Sequence, residues 1–135
     1  MRITNSAINY VSGQPLVDAD MYSSDQTLTA GQNFTTAGTA LRTNGADSVS
    51  LMFKFTGANA SSSGTVDFYI AGSQDGTNFE TSGTNFSWSL NGNSAVRRLG
   101  VMDTRNIPYI QVVRIVNGDA TYGLSSVNVR AYSLQ

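Results

Sequence analysis

From residue 48 onward the chain alternates apolar and polar residues. Side chains of a strand point alternately to opposite faces, so this period of two is the mark of half-buried β-structure. In SVSLMFKF, residues 48–55, Val49, Leu51, Phe53 and Phe55 share one face, and Ser48, Ser50, Met52 and Lys54 share the other. TVDFYIA, residues 65–71, sets Val66, Phe68 and Ile70 against Asp67 and Tyr69. FSWSL opposes Phe86, Trp88 and Leu90 to Ser87 and Ser89. The final run, SVNVRAYSL, turns Val127, Val129 and Ala131 inward and Asn128, Arg130 and Tyr132 outward.

Two segments are less regular. SAVRRLGV, residues 94–101, allows either Ala95 and Leu99 or Val96 and Val101 to face the core, while Arg97 and Arg98 point opposite ways. PYIQVVRIV, residues 108–116, is apolar on both faces except at Gln111 and Arg114, which suits a mid-sheet strand covered on each side. Asn91-Gly92 predicts a hairpin, because asparagine and glycine tolerate positive φ; Asn44-Gly45, Asp75-Gly76 and Asn117-Gly118 punctuate in the same way. TGANASSSG, residues 56–64, is a surface loop by composition. No helical period is present, and both prolines lie outside strand interiors.

These signals predict an all-β fold, an antiparallel two-sheet β-sandwich of jelly-roll or immunoglobulin-like type, with the strand order left open. Residues 41–135 form the expected sandwich core. Residues 1–40 are mostly polar and are expected to supply an N-terminal arm and the first edge strand or strands of the same domain, with a short strand over 22–28.

The chain has 135 residues with no cysteine and no histidine. That removes disulfides, thiolate metal sites, the commonest general base and the usual partner of a catalytic serine. The expected reading is therefore non-enzymatic, with no cofactor and no metal. A net charge of -1 and 13% charged residues provide no field to gather nucleic acid or an acidic membrane. No apolar stretch nears the roughly 20 residues of a membrane span, and the N-terminus carries no pattern of a secretion signal.

SQDGTNFE, residues 73–80, places Asp75 alone before Gly76 with Glu80 too early for a calcium loop, so it predicts a turn capped by Asp75, with Phe79 returning to the core. Asp18, Asp20 and Asp25 form the densest acid cluster, expected to be solvated loop acids rather than a cation site. Asp67 and Glu80 could be cross-strand neighbours, the requirement for a hydrolytic carboxylate pair. Trp88 with Tyr69, Tyr109, Tyr122 and Tyr132 could form a sugar platform, but its alternation with Phe86 and Leu90 places it in the core. Arg97, Arg98, Arg105 and Arg114 suit a protein interface better than phosphate binding.

GADSVSLMFKFTG, TVDFYIAGSQDGTNF and PYIQVVRIVNGDATYGLSSVNVRAY together resemble small structural proteins of tailed bacteriophages. The resemblance spans about residues 46–132 and rests on the turn formed by Ser73, Asp75, Gly76 and Phe79 and on the strand from Tyr109 to Val116 before Gly118; Gln111 stands where an arginine is expected. It implies a non-enzymatic decoration or cement protein, made in the bacterial cytoplasm and carried on the virion. Such a protein binds the major capsid protein or another virion protein, often as a trimer, with no nucleic acid or membrane partner. Ile3, Ile8, Tyr10, Arg97, Arg98 and Arg105 are the candidate capsid or subunit contacts. The alternative is a carbohydrate-binding module of a tail or fibre.

Overall fold

The computed structural model of the chain describes residues 15–24, 33–34 and 38–134. They form strands β1 (Pro15–Ser24), β2 (Asn33–Phe34), β3 (Leu41–Arg42), β4 (Ser48–Gly57), β5 (Thr65–Ser73), β6 (Thr84–Ser89), β7 (Ala95–Asp103), β8 (Tyr109–Asn117) and β9 (Leu124–Leu134). One sheet has the order β1-β9-β4-β7; in the other, β2 and β3 both pair with β8, followed by β5 and β6. All pairings are antiparallel. The pairs β1 with β9, β2 and β3 with β8, β4 with β7, and β5 with β6 are nested like a single long hairpin wrapped into two layers. That nesting is the connectivity of a jelly roll and selects it over the immunoglobulin-like order.

The inward rows are those that the alternation predicts. Val49, Leu51, Phe53, Phe55, Val66, Phe68, Ile70, Val127, Val129 and Ala131 are all buried. Phe53 on β4 bridges the layers: its ring centroid lies 4.8 Å from Phe68, 5.1 Å from Phe86 and 5.7 Å from Trp88. Phe86 and Trp88 are only partly buried because β6 is a sheet edge.

Three local expectations are corrected, and the mid-sheet place expected for PYIQVVRIV is observed. Asn91-Gly92 does not close a hairpin: it carries the chain from β6 in one sheet to β7 in the other. The strand expected over 22–28 lies earlier, as β1, and residues 25–28 are outside the described set. In β7 neither proposed inward pair forms. Val96 and Met102 are buried, Leu99 and Val101 are exposed, and Gly100 occupies the inward position between them because the rings of Phe86 and Phe53 fill the space a side chain would need. In β8 a bulge opposite Tyr69 and Ile70 resets the alternation: Ile110, Val112 and Ile115 face the core, whereas Gln111 and Arg114 do not. The Gln111 amide donates to the Gly38 carbonyl (2.7 Å), tying the segment that follows β2 to the sheet.

Without disulfides, polar corners hold the ends of the sandwich. Asp119 is 6% exposed, and its carboxylate accepts backbone N–H groups of Ser63 (2.7 Å), Thr121 (2.7 Å) and Tyr122 (2.8 Å), joining the β4–β5 and β8–β9 connections. Gly57, beside the same corner, has no room for a side chain: a Cβ there would lie 2.2 Å from the Gly92 carbonyl oxygen and 2.7 Å from Ser62 Cβ. Gly57→Ala is expected to destabilise the fold by about 3 kcal/mol, since the clash is with backbone. Gly45→Ala, at φ +79 with nothing within 4 Å, should cost about 1–2 kcal/mol through backbone strain alone. Urea unfolding of both variants checks the ranking, and an equal loss in both would show that the Gly57 contact relaxes freely.

Candidate interaction surface

The loops at one end of the sandwich enclose a groove of about 690 Å³ lined by Thr43, Asp47, Gln74, Thr104, Arg105 and Asn106, among others. Much of its polar lining is already engaged. Thr43 Oγ1 donates to Ile107 O (2.7 Å), Thr104 Oγ1 donates to Ala46 O (2.7 Å), and Arg105 forms an ion pair with Asp103 (2.7 Å). SQDGTNFE borders this groove and is a turn. Asp75 Oδ1 accepts the Thr77 and Asn78 N–H groups (both 2.8 Å) and Ser73 Oγ–H (3.0 Å), and its Oδ2 accepts from Asn78 Nδ2 (2.8 Å). Gly76 takes positive φ as the turn requires. Phe79 stays half-buried outside the core cluster. Glu80 accepts the Gly72 N–H (2.9 Å), whereas Asp67 sits opposite Ser87 and Val116, roughly 16 Å up the same strand, so the two carboxylates do not pair.

The aromatic side chains do not converge either. Trp88 packs on Phe53, Arg114 stacks over Tyr69 and Arg42 over Tyr109 on the second sheet, and Tyr132 lies on the outer face of the first.

That outer face is unlike the rest of the surface. Registers across β7, β4, β9 and β1 align Val101, Ser50, Tyr132 and Asp18 in one row and Leu99, Met52, Arg130 and Asp20 in the next. Leu99 is 62% exposed, Val101 67%, Leu134 54% and Tyr132 42%, the large apolar side chains most exposed among the described residues. Leu99 lies directly opposite Met52 and two residues from Val101, and Tyr132 lies diagonally from Met52, with Ser50 between Val101 and Tyr132, so the four share one region of the face. Asp18 and Asp20 are not loop acids but strand residues, both bonded to Arg130 (2.5 and 3.2 Å), and the Asp18 bond foremost holds that guanidinium more firmly protonated.

Of the residues expected at an interface, Arg97 and Arg98 lie near the start of β7 at positions of opposite facing and Arg105 lies just past its other end, roughly 26 Å along the strand; all three are exposed, while Ile3, Ile8 and Tyr10 lie outside the described residues. Arg114 is on the other sheet. Leu99, Val101, Tyr132 and Leu134 were missed as interface candidates. An apolar residue at an outward strand position beside charged neighbours is the signal that marks them, and it is visible in RRLGVMD once the register is known.

Three acids are held ionised by the fold. Hydrogen bonds from Asn78 and Thr77 push Asp75 far below the ordinary carboxylate range, Arg105 lowers Asp103 from 3.8 to about 2, and the N–H groups of Ser63, Tyr122 and Thr121 lower Asp119. A carboxylate whose folded-state pKa is depressed contributes stability above its unfolded pKa and loses it as pH falls through the folded value. Stability should therefore decline on acidification from about pH 4 toward about 2. Asp119→Asn should both lower neutral-pH stability and flatten that decline, as read from urea midpoints across a pH series; an unchanged slope would remove Asp119 from the acid response.

No protein-family model matches the chain, and no curated protein matches it.

Proposed function

We propose that this chain is a non-enzymatic binding protein of a virion, a decoration or cement protein of a tailed bacteriophage. In this reading it docks on the assembled shell through the outer face of the sheet β1-β9-β4-β7. The observation that carries the reading is the patch of Leu99, Val101, Met52 and Tyr132, an apolar surface flanked by ion-paired and basic side chains that holds three of the four most exposed large apolar residues among those described. Such a composition is that of an interface core with a charged rim. The whole sequence lacks histidine and cysteine, which also fits structural use. Binding the assembled particle but not its free subunits would stabilise the shell by mass action. Self-association on the particle belongs to the same reading, as does the resemblance of residues 46–132 to phage structural proteins.

The jelly roll is used by capsid proteins and lectins alike, so the fold by itself does not decide between shell docking and sugar binding. The surroundings of the aromatic residues favour docking, because Trp88 packs on Phe53 and the rings of Tyr69 and Tyr109 are each covered on one face by an arginine rather than grouped into one open platform.

Density-gradient separation of a lysate from the source should recover the chain with intact particles in fixed stoichiometry, as read by mass spectrometry. Recovery only in the soluble fraction would sink the virion reading. With particles in hand, Tyr132→Asp should weaken rebinding by about tenfold or more while leaving the thermal midpoint within a few degrees, because the residue touches water in the free protein.

A further inference from the structure

The β7 edge carries a pattern of its own, one that shares Leu99 and Val101 with the outer face and adds the backbone of an unpaired strand edge. β7 is nine residues long and pairs only with β4 among the described residues, so its other edge presents backbone groups that no strand pairs; the Arg97 carbonyl accepts only a long contact from the Arg98 guanidinium (3.4 Å). Its outward row is Arg97, Leu99, Val101, Asp103: a cation at one end, an anion at the other, and two exposed apolar residues between them. Within the chain, Arg97 lies directly opposite Lys54, and neither has an ion-pair partner among the described residues. Two like charges opposed across strands are unfavourable, so this corner of the sheet favours an incoming anion.

We propose that β7 pairs antiparallel with β7 of a second copy of this chain, about a two-fold axis at Gly100, continuing the four-stranded sheet into eight strands. This inference does not depend on the virion reading. Three registers around the strand centre can be compared. Centring on Leu99 places Arg97 opposite Val101 and leaves the charges unmatched. Centring on Val101 places Arg97 opposite Arg105 and Leu99 opposite Asp103. Only centring on Gly100 sets Arg97 opposite Asp103 and Leu99 opposite Val101, each twice by symmetry. In that register the two copies of Arg98 fall opposite Met102, about 14 Å from one another, beyond the screening length of physiological salt. Asp103 already holds its own Arg105 in a bidentate contact and keeps lone pairs with which to accept a second guanidinium.

The counter-reading is that Arg98, at an inward position on an edge strand, guards that edge against pairing. Single-cysteine variants separate the two, since the native chain has no cysteine to interfere. An oxidised mixture of Leu99→Cys and Val101→Cys proteins should form the mixed disulfide in preference to either self-linked species, because residues 99 and 101 face each other only in the Gly100-centred register. Dominant self-linking of Leu99→Cys or of Val101→Cys overturns that register. Light scattering of the cysteine-free protein should give twice the chain mass, falling to one chain mass on dilution. A single-chain mass at every soluble concentration, or a three-fold mass, overturns the proposal. Arg97→Asp and Asp103→Arg should each weaken the dimer by about tenfold or more, and the double exchange should restore it. Circular dichroism of each variant confirms that the fold is intact, and failure of the double exchange to rescue overturns the assigned charge pairing.

Discussion

The ring of Phe53 is where the two sheets become one core. It projects from β4, the strand flanked by β9 and β7 in the first sheet, and meets Phe68 and both aromatic residues of β6 in the second. Truncating such a ring costs about 3–5 kcal/mol, a large share of the 5–15 kcal/mol that holds a typical domain together. Phe86 reaches Phe53 only because position 100 carries no side chain. One aromatic cluster therefore dictates a glycine in the middle of an edge strand, a position where glycine otherwise weakens pairing.

The ends of the sandwich follow a different rule. A jelly roll crosses between layers at several connections, and each crossing leaves backbone groups that no ladder satisfies. Short polar side chains take up that role. Asp119 collects N–H groups from two connections, Asn117 donates to Tyr122 O (3.0 Å), and Asp75 closes the β5–β6 turn upon itself. Carboxylates that would suggest a site in a list of residues are thereby committed to backbone hydrogen bonds.

This accounts for what was legible in the sequence. The inward rows of β4, β5 and β9 follow from alternation alone, because each strand buries one face against the other layer. β1 obeys the same rule, with Val17 and Met21 buried and Asp18 and Asp20 outward, yet its acids resemble loop acids until Arg130 is placed beside them. β8 defeats the alternation because a single bulge shifts its face midway, and nothing in PYIQVVRIV marks where. Asn91-Gly92 shows the limit of turn chemistry: the dipeptide specifies backbone angles, Gly92 does take positive φ, but whether the next strand returns to the same sheet depends on partners far along the chain. The exposed apolar row of β7 is hidden in the sequence for a related reason. Leu99 and Val101 read as ordinary core residues until the register turns them outward.

That outward turn is itself a consequence of the core. If Gly100 must face Phe86, then period two forces Leu99 and Val101 to the opposite side of β7, because a one-residue slip would exchange the two faces of the strand. The alternative, slipping the strand to bury Leu99 and Val101, would put a side chain where Gly100 now faces inward opposite Leu51 and remove the space that the β6 ring occupies. Packing one aromatic residue inside thus exposes two aliphatic residues outside. An exposed apolar row on a long edge strand favours association, so the chemistry of the surface is set by a steric demand from the core.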